Sequence, residues 1–243
     1  MAETISNSER INQYQCVDFL KPQPYQKVLR IYSRDNYGNI HAFINSYHEN
    51  GQPKQYLKVV NSRAFGDYRE WHDNGVLKLQ AYVVGGEADI APSAEATWLF
   101  DGNSSVWDKE GTLIANICYE KGKLQGDSLY YHPNGNVWKR IPYNNDEIDG
   151  TYEIYLENRQ LLQCTEYRKG SRHGPSFHYW SQNQLASREE YQNGSLLFGL
   201  YYDPAGQLVS EINDGHGKRA VFGKTTITEL QEFRHGIPEG EIR

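Results

Sequence analysis

The chain has 243 residues and a formal net charge of −6; hydrophobic residues make up 38% of it and aromatic residues 13%, with 19 tyrosines. A composition this poor in aliphatic residues argues against a compact two-domain enzyme and suits short strands, many turns and a thin architecture. The acidic balance argues against sequence-independent nucleic-acid binding, which needs Lys and Arg to displace counterions, and against adsorption to anionic lipid.

Residues 1–37 stand apart from the rest of the chain and read as an N-terminal segment or cap that covers an open sheet edge. The stretch before about Tyr14 is expected to be disordered. It holds no apolar core of a signal peptide, and no run in the chain approaches the roughly 18 apolar residues of a membrane helix. A soluble, cytoplasmic protein is the expectation. Cys16, Cys118 and Cys164 are odd in number and fit no Cys-x-x-Cys spacing, so they read as free thiols in a reducing compartment. Val28–Ser33 and Ile40–Tyr47 are predicted strands around Arg34–Gly38.

From residue 38 to residue 243 the chain repeats with a period of about 24 residues. The clearest unit, 126–150, has a turn glycine, Gly135. Tyr131 stands four residues before it, Val137 two after and Tyr143 eight after. One period earlier, Gly111 carries Trp107, Leu113 and Tyr119 at the same offsets. One and two periods later, Arg159 and Asn183 carry Tyr155, Leu161, Tyr167 and Tyr179, Leu185, Tyr191. Gly75 carries Trp71 and Leu77, with Tyr82 one residue early. Gly51 carries Tyr47, with Pro53 in the aliphatic position. Gly206 carries Tyr202 and Leu208, with Ile212 in place of the second aromatic. A boundary glycine stands nine residues before the turn at Gly66, Gly102, Gly126, Gly150 and Gly174, while Gly199 is out of register by two. A degenerate unit ending in Phe233, Gly236 and Gly240 brings the count to about eight.

Each unit reads as an antiparallel hairpin. In His132-Pro133-Asn134-Gly135 the proline presets the first central position, asparagine accepts the second, and glycine takes the left-handed conformation that closes a bulged hairpin. Asn183 is a good substitute in that last position. Arg159 is a poor one, so its turn is expected to differ. Hairpins stacked edge to edge place Tyr131, Tyr155 and Tyr179 in a row on one face. The fold expected is all-β: an elongated, twisted, single-layer sheet, β-solenoid-like, of tandem hairpins stabilised by neighbour contacts.

The segments YHPNGNVWKRIPYNND, WHDNGVLKLQAYVVGG and WDKEGTLIANICYEKGKLQG resemble MORN repeats, in particular the bacterial MORN-variant form. The likeness spans about residues 38–240. It implies a non-catalytic scaffold to which no catalytic residue belongs. In that family some bacterial members are antitoxins of toxin–antitoxin pairs, others accompany catalytic domains such as SET-type methyltransferases, and eukaryotic members associate with membranes and phospholipid. The function expected is a repeat scaffold that binds a protein partner, as an antitoxin, an immunity protein or an effector-type protein. The alternatives are a membrane- or phospholipid-associated scaffold, and an accessory module of a larger catalytic protein.

Recognition is expected where the period breaks. Gly75 and Gly111 stand 36 residues apart, which places an insertion of 12 near 86–97, read either as a tolerated surface loop or as a protruding contact element. Trp71 and Trp107 occupy the aromatic position. Trp98, Trp138 and Trp180 lie off it and are candidate partner-binding residues, because an exposed tryptophan anchors interfaces; local packing against the link segment is the competing reading. His48, His72 and His132 share one turn position, yet equivalent positions lie about 10 Å apart, too far for ligands that must approach one ion to about 2.1 Å. Gly223-Lys224-Thr225 lacks the first glycine of a phosphate-binding loop. No catalytic residue, cofactor or metal site is expected.

Overall fold

The computed structural model describes residues 27–239. The expectations placed on residues 1–26, including Cys16, and on the last four residues lie outside that range. Twenty strands run in chain order: β1 Lys27–Arg34, β2 Ile40–Tyr47, β3 Pro53–Val60, β4 Arg63–Trp71, β5 Leu77–Val83, β6 Gly102–Trp107, β7 Leu113–Glu120, β8 Lys123–Leu124, β9 Gly126–Tyr131 and β10 Val137–Asn144. They continue with β11 Glu147–Ile148, β12 Gly150–Tyr155, β13 Leu161–Arg168, β14 Ser171–Tyr179, β15 Leu185–Gln192, β16 Ser195–Tyr202, β17 Leu208–Asn213, β18 His216–Phe222, β19 Ile227–Arg234 and β20 Ile237–Pro238. All belong to one antiparallel sheet in which neighbours in sequence are neighbours in space. Among the described residues one short helix, α1 Pro92–Glu95, lies in the insertion.

Two kinds of turn alternate along this meander. The first is the predicted bulged turn. In each, an N–H reaches the carbonyl four residues on and the left-handed residue donates back, as at His48–Gln52, His72–Val76 and His132–Asn136. The register skips a residue at each, for instance between Val137 and Lys139. Contrary to expectation, the Arg159 turn does not differ: Arg159 adopts φ +68° and closes Leu156–Gln160 with the same two bonds. Its cost is offset in part by a bond from Nε to Asn136 Oδ1 at 2.8 Å. The second kind is a two-residue turn with both φ positive, at Lys121-Gly122, Asn145-Asp146, Lys169-Gly170 and Asn193-Gly194 among others. This is the turn whose twist matches antiparallel strands, so the glycine-flanked links are themselves hairpins. The β1–β2 turn, Asp35–Asn39, also closes with the bonds of the first kind, so the 37/38 boundary falls inside a hairpin of the array.

The boundary glycines acquire a physical meaning. Gly102, Gly126, Gly150 and Gly174 lie directly across from Tyr119, Tyr143, Tyr167 and Tyr191. All four hold a positive φ, between +71° and +115°, the region that only glycine enters freely. Gly66 lies opposite Val83, which makes Val83 the true occupant of that position; Tyr82 points to the other face. Strand alternation then puts the two aromatic series on opposite faces, Tyr131 and Tyr155 on one and Tyr143 and Tyr167 on the other.

The sheet is a single layer that is covered or curled at both ends. At the N-terminal end, Ala42, Ile44, Leu57, Val59, Ala64, Tyr68, Ala81 and Val83 form a buried cluster on one face, closed by Ile90 and Trp98. The insertion stands where a two-residue turn between β5 and β6 is due, and it folds back as a plug. At the C-terminal end, Phe222 of β18 stacks on His178 of β14, with ring centroids 4.7 Å apart. Four strand spacings of a flat sheet amount to about 19 Å, so the sheet rolls over itself here. Tyr191, Leu196, Tyr201, Ile212, Ala220 and Phe233 fill the roll.

Candidate binding surfaces

Two surfaces have the exposure or chemistry to hold a ligand. The first arises from the bulge. The extra residue of each bulged turn stands outside the strand pairing, and in successive units this position holds Ile114, Trp138 and Leu162. Ile114 and Trp138 are each 40% exposed. Lys139 Nζ lies 3.8 Å from the centre of the Trp138 ring, and His132 flanks it at 6.1 Å. Beside Val137 is an open cleft of ≈380 Å³ lined by Leu129, Val137, Tyr155, Arg140 and Arg159. Arg140 is neutralised there, at 2.6 Å from Glu153 and 3.1 Å from Asp127.

Of the three tryptophans read as candidates from sequence, Trp138 alone is substantially exposed. Trp98 is 6% exposed and Trp180 4%, which corrects the expectation that these rings sit at the surface. Trp98 packs edge-on against Tyr68 at 4.8 Å, and its indole N–H donates to the carbonyl of Glu87. Trp180 packs edge-on against Phe222 at 5.3 Å and donates to the carbonyl of Tyr202. Both rings are shielded from solvent by elements that double back on the sheet, the insertion and β18. The insertion is accordingly neither a loose loop nor a protrusion: Ile90 and Ala94 are buried with Trp98.

The second surface is a groove of ≈240 Å³ inside the C-terminal roll, with Gln163, Arg172, His178, Glu189 and Arg219 among its walls. The register builds it. Gln163 faces His178 and Thr165 faces Ser176, while Ser176 faces Glu189 and His178 faces Ser187, so these side chains share one face of β13–β15. Glu189, 3% exposed, accepts from Tyr191 Oη at 2.9 Å, Tyr201 Oη at 2.8 Å and Arg219 Nε at 2.7 Å. Gly199, opposite Glu189, is needed because a Cβ there would run into the Tyr201 hydroxyl on its way to the carboxylate. The out-of-register glycine is thus explained by the residue it admits.

Burial pushes the Tyr191 phenol up to about 12, and burial also raises Tyr201. Both hydroxyls therefore stay protonated and serve as donors. Burial opposes the Arg219 charge, but Glu189 outweighs it and the guanidinium stays charged. Burial lowers His178, which favours its neutral form. Arg172 packs over the Tyr191 ring at 5.2 Å and donates to Tyr191 Oη at 3.2 Å and, from Nε, to Tyr167 Oη at 3.4 Å. Sequence reading passed over this group because its members come from five strands, β13 to β16 and β18, and are joined only when β18 folds across β14. The single hint was the displaced Gly199.

Cys118 and Cys164 are free thiols. Among the described residues no three His, Cys, Asp or Glu side chains gather in a way that could hold a metal ion, and no helix is long and apolar enough to cross a membrane. The rings of His48, His72 and His132 instead each bond the next repeat's backbone.

Residues 124–145, which span β9, its bulged turn and β10, match the MORN repeat variant family. No curated protein matches the chain. Among solved structures, the crystal structure of TcdB2-TccC3-TEV is similar at 12% identity, over 83% of this chain and 13% of that one, with a TM-score of 0.20.

Proposed function

We propose that this chain, a β-hairpin scaffold carrying a MORN-variant repeat, acts without catalysis by docking a protein partner on the surface around Trp138. The observation that carries the reading is that the bulge position is apolar and exposed in successive units, at Ile114 and Trp138; Val137, the chain neighbour of Trp138, lines the Leu129–Tyr155 cleft. Scattered exposed apolar residues need no explanation, but an exposed Trp at a position that is apolar in successive units has the make-up of an interface anchor. Its rigid platform of paired strands supports the same reading, since little conformational entropy remains to be lost on binding. The chain's acidic balance favours a partner that presents basic residues at its rim.

The test is affinity capture from the source cells with the wild-type chain and with Trp138→Ala, compared by mass spectrometry. A specific protein retained by the wild type and depleted at least tenfold by the variant is expected. Capture of identical sets by both chains would sink the assignment of Trp138, and capture of no protein would sink the partner reading.

A further inference from the structure

We propose that the groove between β13–β15 and β18 is a binding site for a small carboxylate-bearing molecule, held by the Arg172 guanidinium. The charge inventory of the groove drives this. Arg172 and Arg219 contribute two positive charges, Glu189 one negative charge, and His178 is neutral, so the groove carries a net single positive charge inside an acidic chain. Glu189 is saturated by Arg219 and two phenols. Arg172 is different. It donates to the two neutral hydroxyls of Tyr167 and Tyr191, and no carboxylate pairs with it among the described residues.

A guanidinium has five N–H donors in a planar fork, and two of the five are used. The half-buried remainder needs an acceptor, and a carboxylate matches the fork with two parallel bonds. Tyr191 holds the guanidinium in place from below, so little side-chain freedom is lost on binding. Gln163 and Ser176 add neutral polar groups to the same wall, and the stacked His178–Phe222 pair offers a flat surface to the ligand's body. A monoanion balances the net charge. A phosphate dianion would place excess negative charge beside the buried carboxylate of Glu189, which disfavours it. The volume of ≈240 Å³ suits a compact molecule rather than a peptide segment.

This site does not depend on the partner surface at Trp138, and it is tested without a partner. Titration calorimetry of the full chain with acetate, pyruvate, D-gluconate and D-glucuronate is set against inorganic phosphate. Saturable one-to-one binding of at least one carboxylate, tighter than phosphate and weakened at least tenfold in Arg172→Gln, is the expected result. Arg172→Lys retains the charge but loses the fork and is expected to fall between the two. Circular dichroism of Arg172→Gln separates a lost contact from a lost fold, and Gln163→Ala serves as a second, milder variant expected to weaken binding about threefold. Absence of saturable binding by all four carboxylates overturns the proposal, as does tighter binding of phosphate. So does an affinity unchanged in both Arg172→Gln and Gln163→Ala.

Discussion

His48 Nε2 lies 2.9 Å from the carbonyl oxygen of Trp71, one repeat further along the sheet. The same bond recurs from His72 to Trp107 at 3.0 Å and from His132 to Tyr155 at 2.9 Å. Asparagines of the same turns extend it: Asn50, Asn74 and Asn134 donate to the carbonyls of Asp73, Lys109 and Glu157. At the bulged-turn margin of the sheet, then, each of these turns is tied to the turn of the next repeat. In a repeat array such neighbour contacts set the cooperativity.

His132→Ala removes one such tie and is expected to cost about 1 kcal/mol, the usual net value of a hydrogen bond. The effect should be local. Amide hydrogen exchange should quicken at residues 132–136 and 155–160 and stay unchanged near His48. A uniform acceleration along the whole chain would contradict the ladder.

Arg219→Ala leaves Glu189 buried with two phenols and no cation bonded to it. Removal of one member of a buried pair typically costs about 3–5 kcal/mol. The double variant Glu189→Gln/Arg219→Ala should recover part of that loss, because glutamine needs no countercharge. Urea denaturation of the single and double variants measures both. Equal losses in the two would show that the charge of Glu189 is not what Arg219 serves.

His178 gives the roll a pH dependence. Burial holds its folded-state pKa below the ordinary value near 6.5. As the pH falls below about 6.5 the unfolded chain takes up the proton first, so stability is full above that pH and declines below it. Thermal melts from pH 8 to pH 5.5 should show a smaller acid decline in His178→Gln than in the wild type. Parallel curves would assign the acid sensitivity elsewhere.

Trp98→Ala should cost about 3–5 kcal/mol, the range for truncating a large buried aromatic. It should also release the plug from the face formed by Leu57 and Tyr68. Limited proteolysis is then expected to cut within 86–97 in the variant and not in the wild type. Resistance in both would mean that the plug is held without the indole.

Lys169→Asn is expected to stabilise. Lys169 sits at φ +48° before Gly170, a left-handed position that asparagine enters more cheaply, and Asn193 already occupies the equivalent turn at φ +48°. A gain of about 0.5–1 kcal/mol in urea midpoint measurements is the expected size. A loss would mean that the lysine stem makes a contact worth more than the turn strain.

The local grammar of this protein was determined by its sequence alone. The period, the bulged turns at Asn50-Gly51 and Asn134-Gly135, and the Gly126–Tyr143 spacing are short-range facts: turn chemistry and strand alternation act over a few residues and leave a pattern that repeats. Even the place of the insertion was legible, as a lengthened interval between Gly75 and Gly111. Its conformation was not, because Ile90, Ala94 and Trp98 are buried by strands distant in sequence, and no local rule tells a plug from a loop. Arg159 shows the converse: its propensity opposes the left-handed turn, and the repeats on either side impose it. Only the tertiary structure decided which tryptophans face water and that Arg172, His178, Glu189 and Arg219 share one groove. Trp98 is hidden by the insertion folding back on strands distant in sequence, while Trp180 and the groove depend on the curl accumulated over β14–β18, which no single repeat encodes.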